Sequence, residues 1–106
     1  MSSKLRRFEV LLPVRYNDGR DIPAPLLGEA VNEVVQQFGA VNFRRDAVEG
    51  QWQHEDVLYR DNLACIIVDV PDTAKNRKWM KAFKERWKDR LDQIEIWMVS
   101  YRVDID

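Results

Sequence analysis

His54 is the only histidine in the chain, and it lies in Gln53-His54-Glu55-Asp56 with Tyr59 and Asp61 close behind. Imidazole beside carboxylates suits proton transfer or metal ligation. His54, Asp56, Tyr59 and Asp61 are therefore the candidate catalytic residues. Consecutive residues of an extended segment point to opposite sides, however, so this run does not assemble a ligand shell, and a solvated turn explains it equally simply. No metal site and no cofactor are expected. Cys65 is the one cysteine, which excludes an internal disulfide and a cysteine-based zinc site. It sits in the apolar run Leu63-Ala64-Cys65-Ile66-Ile67, where a small buried filler is the natural reading and nothing nearby would activate a thiolate.

Charge supplies a second candidate. Between Lys75 and Arg90 eight basic residues face two acidic ones, a net of +6 in a chain of net −1, so the remainder carries −7. Lys78, Lys81, Lys84 and Lys88 form the candidate anion-binding band, suited to nucleic-acid phosphates or an anionic surface. Lysine is also a good helix former and suits a helix C-terminus, so a solvated helix face produces the same pattern. So does an interface with the acidic remainder of a second copy. A sequence pI near 5.8 argues against a dedicated nucleic-acid protein.

Aromatics supply a third. Trp52 and Tyr59 face each other across the expected hairpin, and Trp97 and Tyr101 share a face of the last strand. These four are the candidate ligand-binding residues, although cross-strand aromatic pairs also stabilise sheets without any ligand. Four scattered glycines make no phosphate-cradling loop, and no serine-nucleophile motif is present.

The elements that would position these residues follow from periodicity. Phe8 to Tyr16 alternates as a strand, with Pro13 suggesting an edge or a bulge, and Asn17-Asp18-Gly19 marks a turn. Asp21 is placed to cap a helix whose apolar positions Leu27, Ala30, Val31, Val34, Val35 and Phe38 share one face, ending at Gly39. Val41 to Gln53 and Val57 to Val70 read as a hairpin of two strands, with Gly50 suggesting a bulge or a close backbone approach. Pro71 ends the second of these. Asp72 or Thr73 caps a helix running to about Arg90, striped by Trp79, Met80, Phe83, Trp87 and Leu91, and Ile94 to Ile105 forms a last strand. The order is β-α-β-β-α-β. This predicts an α+β, ferredoxin-like fold over residues 1–106 as a single domain, with a four-stranded antiparallel sheet carrying both helices on one face.

The motifs Phe38-Gly39-Ala40-Val41, Glu49-Gly50-Gln51-Trp52 and Leu58-Tyr59-Arg60-Asp61 resemble a pattern of small bacterial proteins of uncharacterised function. In those, a helix ends in Phe-Gly, the next strand holds Gly-x-Trp, and Tyr-x-Asp follows the hairpin. The resemblance implies a ferredoxin-like domain and no activity.

Two strands are apolar on both faces. Leu63, Cys65 and Ile67 oppose Ala64, Ile66 and Val68, and Ile94, Ile96 and Met98 oppose Trp97, Val99, Tyr101 and Val103. Something must cover the second face, and with no spare element in the chain a second copy is expected, as a homodimer or larger homo-oligomer. With no signal peptide and no apolar run of bilayer length, cytoplasmic residence is expected. The leading expectation for function is a non-catalytic, homo-oligomeric association or small-ligand-binding module. A small enzyme with a pocket at the sheet or subunit interface, and an anionic-surface or nucleic-acid binder, are the alternatives.

Overall fold

The computed structural model describes residues 4–54 and 57–106, with side chains described over 4–44 and 63–106. Its elements are β1 (Leu5–Pro13), α1 (Ala24–Phe38), β2 (Asn42–His54), β3 (Val57–Pro71), α2 (Ala74–Arg90) and β4 (Trp97–Val103). The four strands form one antiparallel sheet in the order β2-β3-β1-β4. That order, with a helix crossing over after β1 and after β3, is the ferredoxin-like fold expected from the sequence.

One face of the sheet and the two helices enclose the core. Alternation puts Phe8, Val10 and Leu12 of β1 on that face, beside Ala64, Ile66, Val68 and Val70 of β3, all buried. From α1 come Leu27, Ala30 and Val34, and from α2 come Met80, Phe83 and Trp87 at the expected three- and four-residue spacing. Trp87 is completely buried, and its indole N–H donates to Glu33 Oε2 of α1 at 2.6 Å. Trp79, Phe83 and Phe38 continue the aromatic contact, with Trp79 stacked on Phe83 at 5.6 Å and Phe38 edge-on to Trp79 at 5.2 Å.

Several sequence expectations are corrected. Pro13 is not on an edge: β1 is central, and proline is tolerated because pairing with β4 stops at Leu11 while Pro13 pairs only with Leu63. Asp21 does not cap α1. Pro23 occupies the cap position without a side-chain bond, and Asp21 instead pairs with Arg15 at 3.3 Å in a small bridge. The β2 irregularity falls between Arg44 and Val48, while Gly50 pairs regularly with Asp61. Of the two residues expected to cap α2, it is Thr73 that does so, accepting from the Asn76 amide at 3.1 Å.

The last strand starts at Trp97 rather than Ile94 because the end of α2 consumes the intervening chain. Asp92 adopts a left-handed conformation (φ 52°), the Gln93 amide donates to Lys88 O and the Asp92 amide to Asp89 O. Those two bonds satisfy the last carbonyls of the helix. Ile96 is then tucked into the core before β4 begins.

The β2–β3 pair outruns the rest of the sheet. The last β1–β3 pair is Pro13↔Leu63, whereas β2–β3 pairing continues from Val48↔Leu63 to His54↔Val57. At about 3.4 Å per residue this two-stranded ribbon projects by roughly 20 Å. The molecule is correspondingly long, 50 × 28 × 24 Å. Among the described residues no helix is long and apolar enough to cross a membrane.

Candidate functional site

The sheet face turned away from the helices is a grid fixed by strand register. Arg44, Cys65, Leu11 and Trp97 make its first row, Asn42, Ile67, Glu9 and Val99 its second, and Asp69, Arg7 and Tyr101 its third. The first two rows, Asn42 excepted, line a shallow hollow of about 290 Å³. Trp97 is 65% exposed beside it. The third row is polar and locked: Arg7 clasps Asp69 with two bonds of 2.8 and 3.0 Å, and the Tyr101 hydroxyl donates to Glu9 Oε1 at 2.8 Å. The bond to Asp69 raises the already high pKa of Arg7, and donation to Glu9 pushes the Tyr101 phenol up. Both groups keep their usual charge at neutral pH.

Cys65 lines the hollow. Burial, then the Glu9 carboxylate, push its thiol up, which removes it further from nucleophilic use. This hollow can hold an apolar group at Leu11, Ile67 and Trp97, with Arg44 at its β2 edge and the Glu9 carboxylate, already bonded to Tyr101, inside its second row. It contains no paired nucleophile and base.

The basic helix divides into two halves. In its C-terminal half Lys84 pairs with Glu95 (3.1 Å), Arg86 with Glu33 (3.5 Å), Lys88 with Glu85 (2.9 Å) and Arg90 with Glu29 (2.6 Å). Lys84 accordingly lowers the Glu95 carboxyl, and the bond to Glu85 raises Lys88. In the N-terminal half, Lys75, Lys78 and Lys81 make no ion pair among the described residues. Lys78 and Lys81, with Ala74 and Arg77, line an open hollow of about 470 Å³. The four lysines proposed from sequence thus separate into an unpaired pair, Lys78 and Lys81, and a paired one, Lys84 and Lys88.

Beside that half lies a cluster that no sequence motif marked. Asp72, whose side chain is only 2% exposed, binds three arginines from three elements. Arg6 Nε (2.9 Å) and Arg77 Nε and Nη2 (2.9 and 2.7 Å) reach Oδ1, and Arg102 Nε (3.0 Å) reaches Oδ2. The three guanidiniums, Arg6 first, hold the Asp72 carboxyl far below the usual carboxylate range. Arg6 and Arg102 are direct cross-strand partners, a like-charge pair made tolerable by the carboxylate between them. The only signal available in sequence was an acidic residue at a strand–helix junction, which read as a cap.

In the hairpin, Trp52 pairs with Tyr59 and His54 with Val57, while Asp61 pairs with Gly50 further down the ribbon. The side chains of Trp52, His54, Tyr59 and Asp61, and Asp56 altogether, lie outside the described residues. Among the described residues no three His, Cys, Asp or Glu side chains are grouped so as to hold a metal ion.

No protein-family model and no curated protein matches the sequence. Solved structures do match. CutA1 of Oryza sativa aligns over 99% of this chain and 84% of its own, with a TM-score of 0.67 and 10% identity. The divalent ion tolerance protein CutA1 of Ehrlichia chaffeensis aligns over 100% and 87% (TM-score 0.64, 6% identity). The divalent cation tolerance protein Cut A1 of Thermus thermophilus aligns over 96% and 86% (TM-score 0.64, 12% identity). At such identities the likeness carries the ferredoxin-like fold alone.

Proposed function

We propose that residues 1–106 act as a single domain whose open sheet face is covered by another copy of the chain. The assembly, a homodimer or larger homo-oligomer, would serve non-catalytic association or small-ligand binding at that face. The observation that carries this reading is the row Cys65, Leu11 and Trp97 with Ile67 and Val99 beside it, apolar side chains on the face the helices leave open. Covering the exposed part of Trp97 alone contributes about 3 kcal/mol from apolar area. The projecting β2–β3 ribbon supports the same reading, since two strands without a third are marginal in water. The hollow between Arg44 and Glu9 gives a ligand its place.

Light scattering over a concentration series tests the proposal. The expected result is a mass of two or more chains, reduced to one by Trp97→Lys with the helical circular dichroism unchanged. A monodisperse monomer at every concentration overturns it.

A further inference from the structure

We propose that the first two turns of α2 bind a small phosphorylated ligand, held through one or two phosphoryl groups by Arg77, Lys78 and Lys81 with Arg102 alongside. The inference is independent of the open sheet face.

Its basis is the excess of prepared cations over anions at this corner. Three guanidiniums share one carboxylate, which leaves two positive charges uncompensated before any lysine is considered. Asp72 is 2% exposed and hidden behind them, so it orients the guanidiniums without confronting an incoming anion. The donor inventory shows what remains. Arg77 uses Nε and Nη2 on Asp72, and Arg102 uses Nε. Nη1 of Arg77 and both Nη atoms of Arg102 have no hydrogen-bond partner among the described residues, and these side chains are 47% and 60% exposed. A guanidinium fixed along one edge and open along another is pre-organised for a phosphoryl oxygen.

The hollow supplies room. Arg77, Lys78 and Lys81 line it together with the small side chain of Ala74. At about 470 Å³ it is an open groove, which can receive phosphoryl groups while the rest of the ligand stays in solvent. The helix's own end is not what binds: the Asn76 amide is already taken by Thr73 Oγ1, and the Arg77 amide by Thr73 O.

Length decides the class of ligand. From Ala74 to Lys81 the helix rises about 10 Å, whereas a nucleic-acid duplex presents a charge every ~1.7 Å and is gripped over many of them. Beyond Lys81 the cations are already matched by Glu29, Glu33, Glu85 and Glu95, so the band cannot continue along a strand of nucleic acid. One or two phosphoryl groups fit the stretch that remains.

The test is a titration of the full-length, isotope-labelled chain with sodium pyrophosphate at about 150 mM salt, followed by amide chemical shifts. Saturable shifts confined to residues 74–81 and 102 are expected. The double variant Lys78→Gln/Lys81→Gln should weaken binding about tenfold or more, while Lys84→Gln/Lys88→Gln changes it by about twofold or less. Both pairs lie on the same helix and are partly or fully solvent-exposed, so dichroism confirms that each variant folds. The absence of saturable shifts overturns the proposal, as does equal weakening by the two variants. Tighter binding of a short RNA oligonucleotide than of pyrophosphate at the same salt also overturns it, in favour of a nucleic-acid surface.

Discussion

The two faces of the sheet are made from the same strands and both carry apolar residues, yet those residues have opposite fates. On the helix face Val10, Leu12, Ala64 and Ile66 are fully buried and the aromatic ladder of α2 closes over them. One residue along each strand, Leu11 and Ile67 are half-covered and Trp97 stands in solvent. Because the side-chain period is two, the difference owes nothing to strand propensity. It comes from the crossovers, which place both helices on one side and leave the other to be finished by something else. The face that is closed should govern whether the chain folds, and the open face should govern what it associates with.

The largest effect is expected on the closed face. Trp87→Ala removes a fully buried side chain and leaves Glu33 without its 2.6 Å indole donor, so it should cost about 3–5 kcal/mol in chemical denaturation. A cost near that of a surface substitution would mean that the helix face does not carry the core.

Second comes Asp72, the tie that holds one end of the closed sandwich together. Its folded-state pKa lies below the ordinary value of 3.8, so it contributes stability above that value and loses it as pH falls towards the folded value. Asp72→Asn should lower the melting temperature at pH 7 and flatten the acid limb of stability below about pH 4. If the variant and the parent keep the same acid limb, the three arginines are not organised by this carboxylate.

How much of this was legible in the sequence follows the range of the interaction. The α2 stripe Met80, Phe83 and Trp87 and the β1 alternation are local, and both fixed an element and its buried side before any coordinates. The doubly apolar character of β3 was equally visible, and it pointed to the open face; for β4 the reading fails on the helix side, because Ile94 and Ile96 precede the strand and its helix-side positions are Met98, Ser100 and Arg102. What could not be read was anything that depended on register between distant strands. Arg6 and Arg102 become neighbours only once β1 and β4 pair, so the Asp72 cluster was invisible and Asp72 read as one of two possible caps. The partition of the basic helix depended likewise on Glu29 and Glu33 of α1 coming to lie beside it. Turn chemistry accounts for the late start of β4, since an aspartate at Asp92 can take the left-handed role more often given to glycine.

On the open face, Trp97→Lys should leave folding nearly unchanged, within about 0.5 kcal/mol, because the residue touches solvent rather than core. The same substitution should dissociate the assembly. An unaltered mass would place the interface elsewhere and leave the apolar row without an assigned cover.

The smallest effect, and the one that reads the cover directly, belongs to Cys65. Its side chain opens onto the hollow beside Leu11 and Ile67, and the chain has no other thiol to confuse the signal. In a monomer, alkylation should proceed slowly but measurably, since the residue is 6% exposed. In an assembly that covers the face it should slow by a further factor of about three to ten, and Trp97→Lys should restore the monomer rate. Because burial pushes the thiol up, both rates should still be climbing at pH 9, where an ordinary cysteine is already half ionised. That shared pH profile separates coverage from chemistry. If the parent and Trp97→Lys chains alkylate at the same rate while differing in mass, the second copy binds the protein but does not lie on this face.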